Sequence, residues 1–149
     1  HLFQNEIGDV YKALNDGDGV IGNITHEIAG NSRLPIYVAE GRTASKLRKI
    51  NSVGYLRHCY RKLQNNAAIV FIYGHSADEN DAHIYHAVFG SDAKHVYFGV
   101  HNPDKDTLRK FDAQLAKYSK IGGKDIPYSF FASETAQVWD GPPKKPEGK

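Results

Sequence analysis

The residues of this chain best equipped for chemistry gather in one stretch, Gly74-His75-Ser76-Ala77-Asp78-Glu79, continued by Asp81, His83 and His86. Glycine lets a ligand approach the backbone, serine can donate or accept a hydrogen bond, and a carboxylate can hold ribose hydroxyls. A continuous apolar run, Ala67 to Tyr73, leads into the stretch. Its β-branched and aromatic content predicts a strand buried on both faces, as in a parallel sheet. Past Gly74 the period changes, and Ile84, Ala87 and Val88 share one helical face. Ser76 and Glu79 have capping-box spacing, which sets the helix start close to Asp78. The unit is strand, glycine-marked loop, helix, and open α/β sheets bind ligands at such loops.

A second loop of the same kind is Glu40-Gly41, which closes the strand pattern Leu34 to Ala39. With the two strands as neighbours, Glu40, Gly41, Gly74, His75, Ser76 and Asp78 line one crevice. Glu40 reads there as a ribose partner or, equally well, as a turn carboxylate capping the next helix. Neither G-x-G-x-x-G nor a Walker sequence occurs, so the standard phosphate fingerprints are absent. Asp78 and Glu79 already occupy the dipole at the helix start, which favours a ribose hydroxyl over a phosphate at this loop. The phosphate then falls to the basic residues between Arg42 and Lys49.

Glu79, His83 and His86 share a helical stripe, yet neither H-E-x-x-H nor paired cysteines accompany them. Solvated or hydrogen-bonded histidines are expected, with no metal. Cys59 lies beside the apolar stripe Leu56, Tyr60 and Leu63, which predicts a buried, inert thiol. From Gly41 through Ala77 there is no Asp or Glu, while Arg42, Lys46, Arg48, Lys49, Arg57, Arg61 and Lys62 all fall there. That run is either a solvated helix face or a surface for phosphate, nucleic acid or another anionic partner.

These pieces need an α/β framework. From Leu34 onward the patterns read β-α-α-β-α-β-α-β-β, including helices over Thr43–Ile50 and from Ser52, with Asn102-Pro103 starting another. The last two strands are Tyr128–Ala132 and Ala136–Trp139. The expectation is an α/β, three-layer Rossmann-like domain with a mainly parallel sheet. In it Ile36–Ala39, Ile69–Tyr73 and Val96–Val100 are adjacent parallel strands, with Ile69–Tyr73 central. A length of 149 residues suits one domain, 1–140, followed by a Pro- and Lys-rich tail, 141–149. No apolar stretch reaches the roughly 18–20 residues of a membrane span, and no signal peptide is evident. One cysteine and 24% charged residues fit a cytoplasmic protein. The start at His1 and the lack of any methionine suggest a domain incomplete at its N-terminus. An open sheet edge would then await the missing segment or a second copy.

The segments VAEG (Val38–Gly41), KLRKI (Lys46–Ile50), YL (Tyr55–Leu56) and YGHSADENDAHI (Tyr73–Ile84) resemble the bacterial domain-of-unknown-function family DUF4917. His1-Leu2-Phe3 resembles the end of that family's LHGALHLF-type segment. The family is distantly similar to sirtuin-like NAD-binding folds. That resemblance implies a sirtuin-like layout, with Gly74, His75 and Ser76 matching a later loop that touches the nucleotide ribose. The upstream glycine loop and the LHG-type histidine are absent here, so no catalytic residue is assigned. NAD or a related nucleotide is the implied cofactor, with cleavage of the nicotinamide–ribose bond in the intact protein. The other class is a non-catalytic module that holds nucleic acid or a protein through the basic helices Arg42–Lys62.

Overall fold

The computed structural model describes residues 2–6, 8–12, 19–38 and 41–136. The chain forms two compact units, His1–His58 and Cys59–Lys149.

In the first unit, β1 (Leu2–Gln4) pairs antiparallel with β2 (Val10–Lys12), Phe3 standing opposite Tyr11. Asn5 pins the turn: its Oδ1 accepts from the Asp9 amide at 2.8 Å, and Gly8 supplies φ +95°. Helix α1 (Gly19–Asn31) follows, and β3 (Leu34–Pro35) then adds antiparallel to the other edge of β1. Phe3, on the middle strand, is fully buried. Arg33 ties the end of α1 to the hairpin, bonding Glu27 at 3.0 Å while its guanidinium lies 3.7 Å over the Tyr11 ring. Helix α2 (Thr43–Ser52) follows, and after the extended residue Val53 comes α3 (Gly54–Gln64), whose residues from Cys59 on belong to the second unit. Arg42 is the N-cap of α2, and it makes no side-chain cap.

The strand expected over Leu34–Ala39 is thus only Leu34–Pro35, and it pairs antiparallel to β1. Proline has no amide to donate, so the ladder fades there; one further bond, from the Ile36 amide to the Leu2 carbonyl at 2.8 Å, ends it. Ile36–Val38 is not strand, so the expected parallel neighbour of the Ile69–Tyr73 strand is not at this position. Ala39, the Glu40 of the expected crevice, Ala13–Asp18, Gln137–Trp139 and the 141–149 tail lie outside the described residues.

The second unit is built on a parallel sheet of β4 (Ile69–Ile72), β5 (His95–Val100) and β6 (Tyr128–Ala132), in that order. Phe71 stands opposite Tyr97, and Tyr97 opposite Ser129. Each connection carries a helix: α4 (Ala82–Phe89) after a single 3₁₀ turn, and α5 (Lys105–Gly122). Asp104 caps α5 through the Thr107 amide at 2.7 Å, so the helix starts two residues past the expected Pro103. Gly123, at φ +72°, closes it as a left-handed C-cap.

Helices α4 and α5 pack on the same face. Tyr85, Val88 and Phe89 meet Leu115 and Tyr118 over Val96, Phe98 and Val100, with Val70, Ile72 and Phe130 at the margin. The opposite face keeps Ile69, Phe71 and Tyr73 exposed, Phe71 at 69% and stacked on Tyr97 with ring centres 5.1 Å apart. The expectation of a central strand buried on both faces is therefore corrected. Among the described residues β4 is an edge strand and β5 is the central one. Both helices protect one side, so the pleat alternates exposed with half-buried along β4. Cys59 is likewise corrected: it is exposed, because Leu56, Tyr60 and Leu63 form the half-buried stripe and Cys59 lies outside it. No helix among the described residues is long and apolar enough to cross a membrane.

Candidate functional site

The segment Tyr73–Asp78 leaves the carboxyl end of β4 and is held by two tyrosines. Gly74 turns at φ +67° with no atom within 4 Å of where a Cβ would stand, so the turn demands glycine while the space beside it is open. Ala77 also takes a positive φ, +56°, and is buried. Tyr118 of α5 holds that conformation, its hydroxyl donating to the Ala77 and Asp78 carbonyls at 3.1 Å each. The Gln114 amide donates to the same hydroxyl at 2.8 Å.

His75 points inward to helix α4. Its Nδ1 lies 2.7 Å from the Tyr85 hydroxyl, and the Ala77 amide donates to the same nitrogen at 3.4 Å. An amide can only donate, so Nδ1 is the acceptor and the neutral ring carries its proton on Nε2. That nitrogen stands 3.7 Å from Asp81 Oδ2. Tyr85 is fully buried and stacked on Tyr118, ring centres 4.7 Å apart. Burial first, then the neighbouring Tyr118, raises the Tyr85 pKa far above the ordinary phenol range. Its proton therefore stays in place to serve His75.

Ser76 and Asp78 face the other way, into an open cleft of about 410 Å³ between this loop and α5. Thr107, Lys110, Phe111 and Gln114 line the α5 side. Asp78 caps the 3₁₀ turn, Oδ1 accepting from the Asn80 amide at 2.8 Å. Asp78 rather than Ser76 is thus the cap, and it caps only the 3₁₀ turn; the α-helix expected to start close to Asp78 begins at Ala82. Glu79 pairs with Lys117, and that bond raises the lysine pKa.

Of the six residues expected in one crevice, Gly74, His75, Ser76 and Asp78 lie on this one loop. Ser76 and Asp78 line the cleft, while His75 is turned into the Tyr85 bond. Gly41 belongs to the other compact unit, exposed at φ +147°. The α5 contribution escaped the sequence reading, although Thr107, Lys110, Phe111 and Gln114 have the i, i+3, i+4, i+7 spacing of one helical face. Among the described residues no three His, Cys, Asp or Glu side chains gather as metal ligands. His83 is buried under Tyr60, whose hydroxyl donates to the His83 carbonyl at 2.9 Å, and His86 meets the Tyr118 ring edge-on.

The three-stranded parallel sheet and its crossover helices make an α/β unit compatible with a Rossmann-like layout, but both helices lie on one face, so the expected three layers are not formed by this sheet among the described residues. The chain belongs to the domain-of-unknown-function family DUF4917, which it matches over residues 1–139. No curated protein and no solved structure matches it.

Proposed function

We propose that this chain is a nucleotide-binding domain whose ligand is NAD or a related nucleotide. The observation that carries the reading is the cleft at the carboxyl end of β4, where Ser76 and Asp78 present a hydroxyl and a carboxylate side by side. In β-α-β-α-β units the loop after the first strand is the usual ligand position. Gly74 opens the backbone there, and one Asp78 oxygen is engaged with Asn80 while the second can accept from a ribose hydroxyl. In an intact protein carrying a catalytic group beside this loop, the corresponding reaction is cleavage of the nicotinamide–ribose bond. Calorimetry with NAD, ADP-ribose and ATP tests the reading. Saturable binding is expected, weakened about three- to tenfold by Ser76→Ala, the worth of one neutral hydrogen bond. If no nucleotide binds at millimolar concentration, the reading fails.

A second reading has its own observation. Arg42, Arg48, Lys49, Arg57, Arg61 and Lys62 of α2, α3 and their approach are exposed, and none forms an ion pair among the described residues. Such a run suits an anionic macromolecule, nucleic acid or an acidic protein face. Affinity for DNA that falls steeply with salt and ignores sequence would favour it over the nucleotide cleft.

A further inference from the structure

We infer that Lys110 takes a phosphate ester of the ligand in the same cleft, so that the site selects a 5′-phosphorylated ribonucleoside over the bare nucleoside. The inference rests on the nucleotide reading above and adds the substrate class and the residue that sets it.

Charge around the cleft leads to Lys110. The N-terminus of α4, the usual seat for a phosphate after a first strand, is crowded by Asp78, Glu79 and Asp81. A phosphate there would meet carboxylates. Lys117 is bonded to Glu79, and the two neutralise each other. Lys110 is the remaining basic residue lining the cleft; no close ion pair engages it among the described residues, and its charge also acts on the Asp104 carboxylate at the start of α5. Thr107 stands one turn before it on the same helical face, its side chain bonded to the Asp104 carboxylate that caps α5. Phe111, next to Lys110 and half-buried, gives that wall an apolar floor.

The opposite wall carries Ser76 and Asp78. A phosphate is repelled by Asp78, whereas a vicinal diol donates to it. The cleft is therefore polar in two senses, cationic on α5 and hydrogen-bond-accepting on the loop. A ribose 5′-phosphate has that division built in, diol at one end and dianion at the other. The phosphate thereby falls to the same compact unit as the ribose loop, rather than to Arg42–Lys49.

The test compares adenosine, AMP, 3′-deoxy-AMP and inorganic phosphate on the full chain and on Lys110→Gln and Ser76→Ala, by calorimetry. Lys110 is exposed, so Lys110→Gln should fold, and its melting curve checks that. AMP is expected to bind at least about tenfold tighter than adenosine, with Lys110→Gln erasing that difference and 3′-deoxy-AMP weakened. Equal binding of adenosine and AMP, or an advantage for AMP that survives Lys110→Gln, overturns the inference while leaving the nucleotide reading intact. Inorganic phosphate binding as tightly as AMP overturns the ribose half. If none of the nucleotides or nucleosides binds, both fall together.

Discussion

The hydroxyl of Tyr85, in the middle of α4, reaches back 2.7 Å to Nδ1 of His75 on the loop after β4. A fully buried phenol thus fixes the one imidazole of the candidate loop, and α5 secures the next turn of chain through Tyr118. Tyr85→Phe keeps the ring stack and removes only this bond. A stability loss of about 1 kcal/mol is expected in urea denaturation. Because His75→Ala breaks the same bond, the double variant should lose less than the sum of the two single losses. Strict additivity would show that the contact contributes nothing.

Two adjacent glycines are held for different reasons, and substitution should separate them. A Cβ on Gly122 would stand 2.5 Å from the Phe89 carbonyl oxygen, backbone that cannot step aside. Gly122→Ala is expected to cost about 1–3 kcal/mol through forced separation of α4 and α5. Gly123 has open space but φ +72°. Asparagine tolerates that conformation, so Gly123→Asn should be nearly neutral. Thermal melts of the pair check both, and a reversed order would contradict the close packing.

Alkaline pH should reveal Tyr128. Burial, and then its hydrogen bond to Asp112 at 2.8 Å, push its pKa up to about 12 from the ordinary 10.0. The folded state favours the protonated phenol, so this contribution is complete below about pH 10 and is lost as pH rises from about 10 to about 12. Tyr128→Phe removes the group. Its stability should therefore decline less over that window than that of the parent chain, measured by denaturation at stepped pH.

The two faces of the sheet should answer differently to the same charge. Phe98→Asp places an unpaired carboxylate in the fully buried core between α4, α5 and β5, and the second unit is expected to unfold. Phe71→Asp, on the face left 69% exposed, should change stability by no more than about 1 kcal/mol. Circular dichroism melts of the two variants suffice. Unfolding by Phe71→Asp would mean that this face is covered.

Much of the second unit was legible because local pattern and packing agree there. The apolar run before Gly74, the helical stripe of α5 and the strand at Val96–Val100 each meet the same core. Misreadings arose where the deciding partner is distant in sequence. Leu34 to Ala39 looked like one strand, yet it pairs only at Leu34 and Pro35, against β1 some thirty positions earlier. The exposure of Phe71 depends on both helices choosing the other face, which composition does not encode. At the site, Ser76 and Asp78 were visible as loop chemistry, while Lys110 looked like one more surface lysine until α5 was set beside the loop.

The exposed thiol of Cys59 gives the chain a built-in reporter. It is the sole cysteine, it accepts a maleimide dye without any mutation, and it sits at the first residue of the second compact unit. A dye there reports from one known position, and its emission can be followed as candidate ligands are titrated into a chain of native sequence.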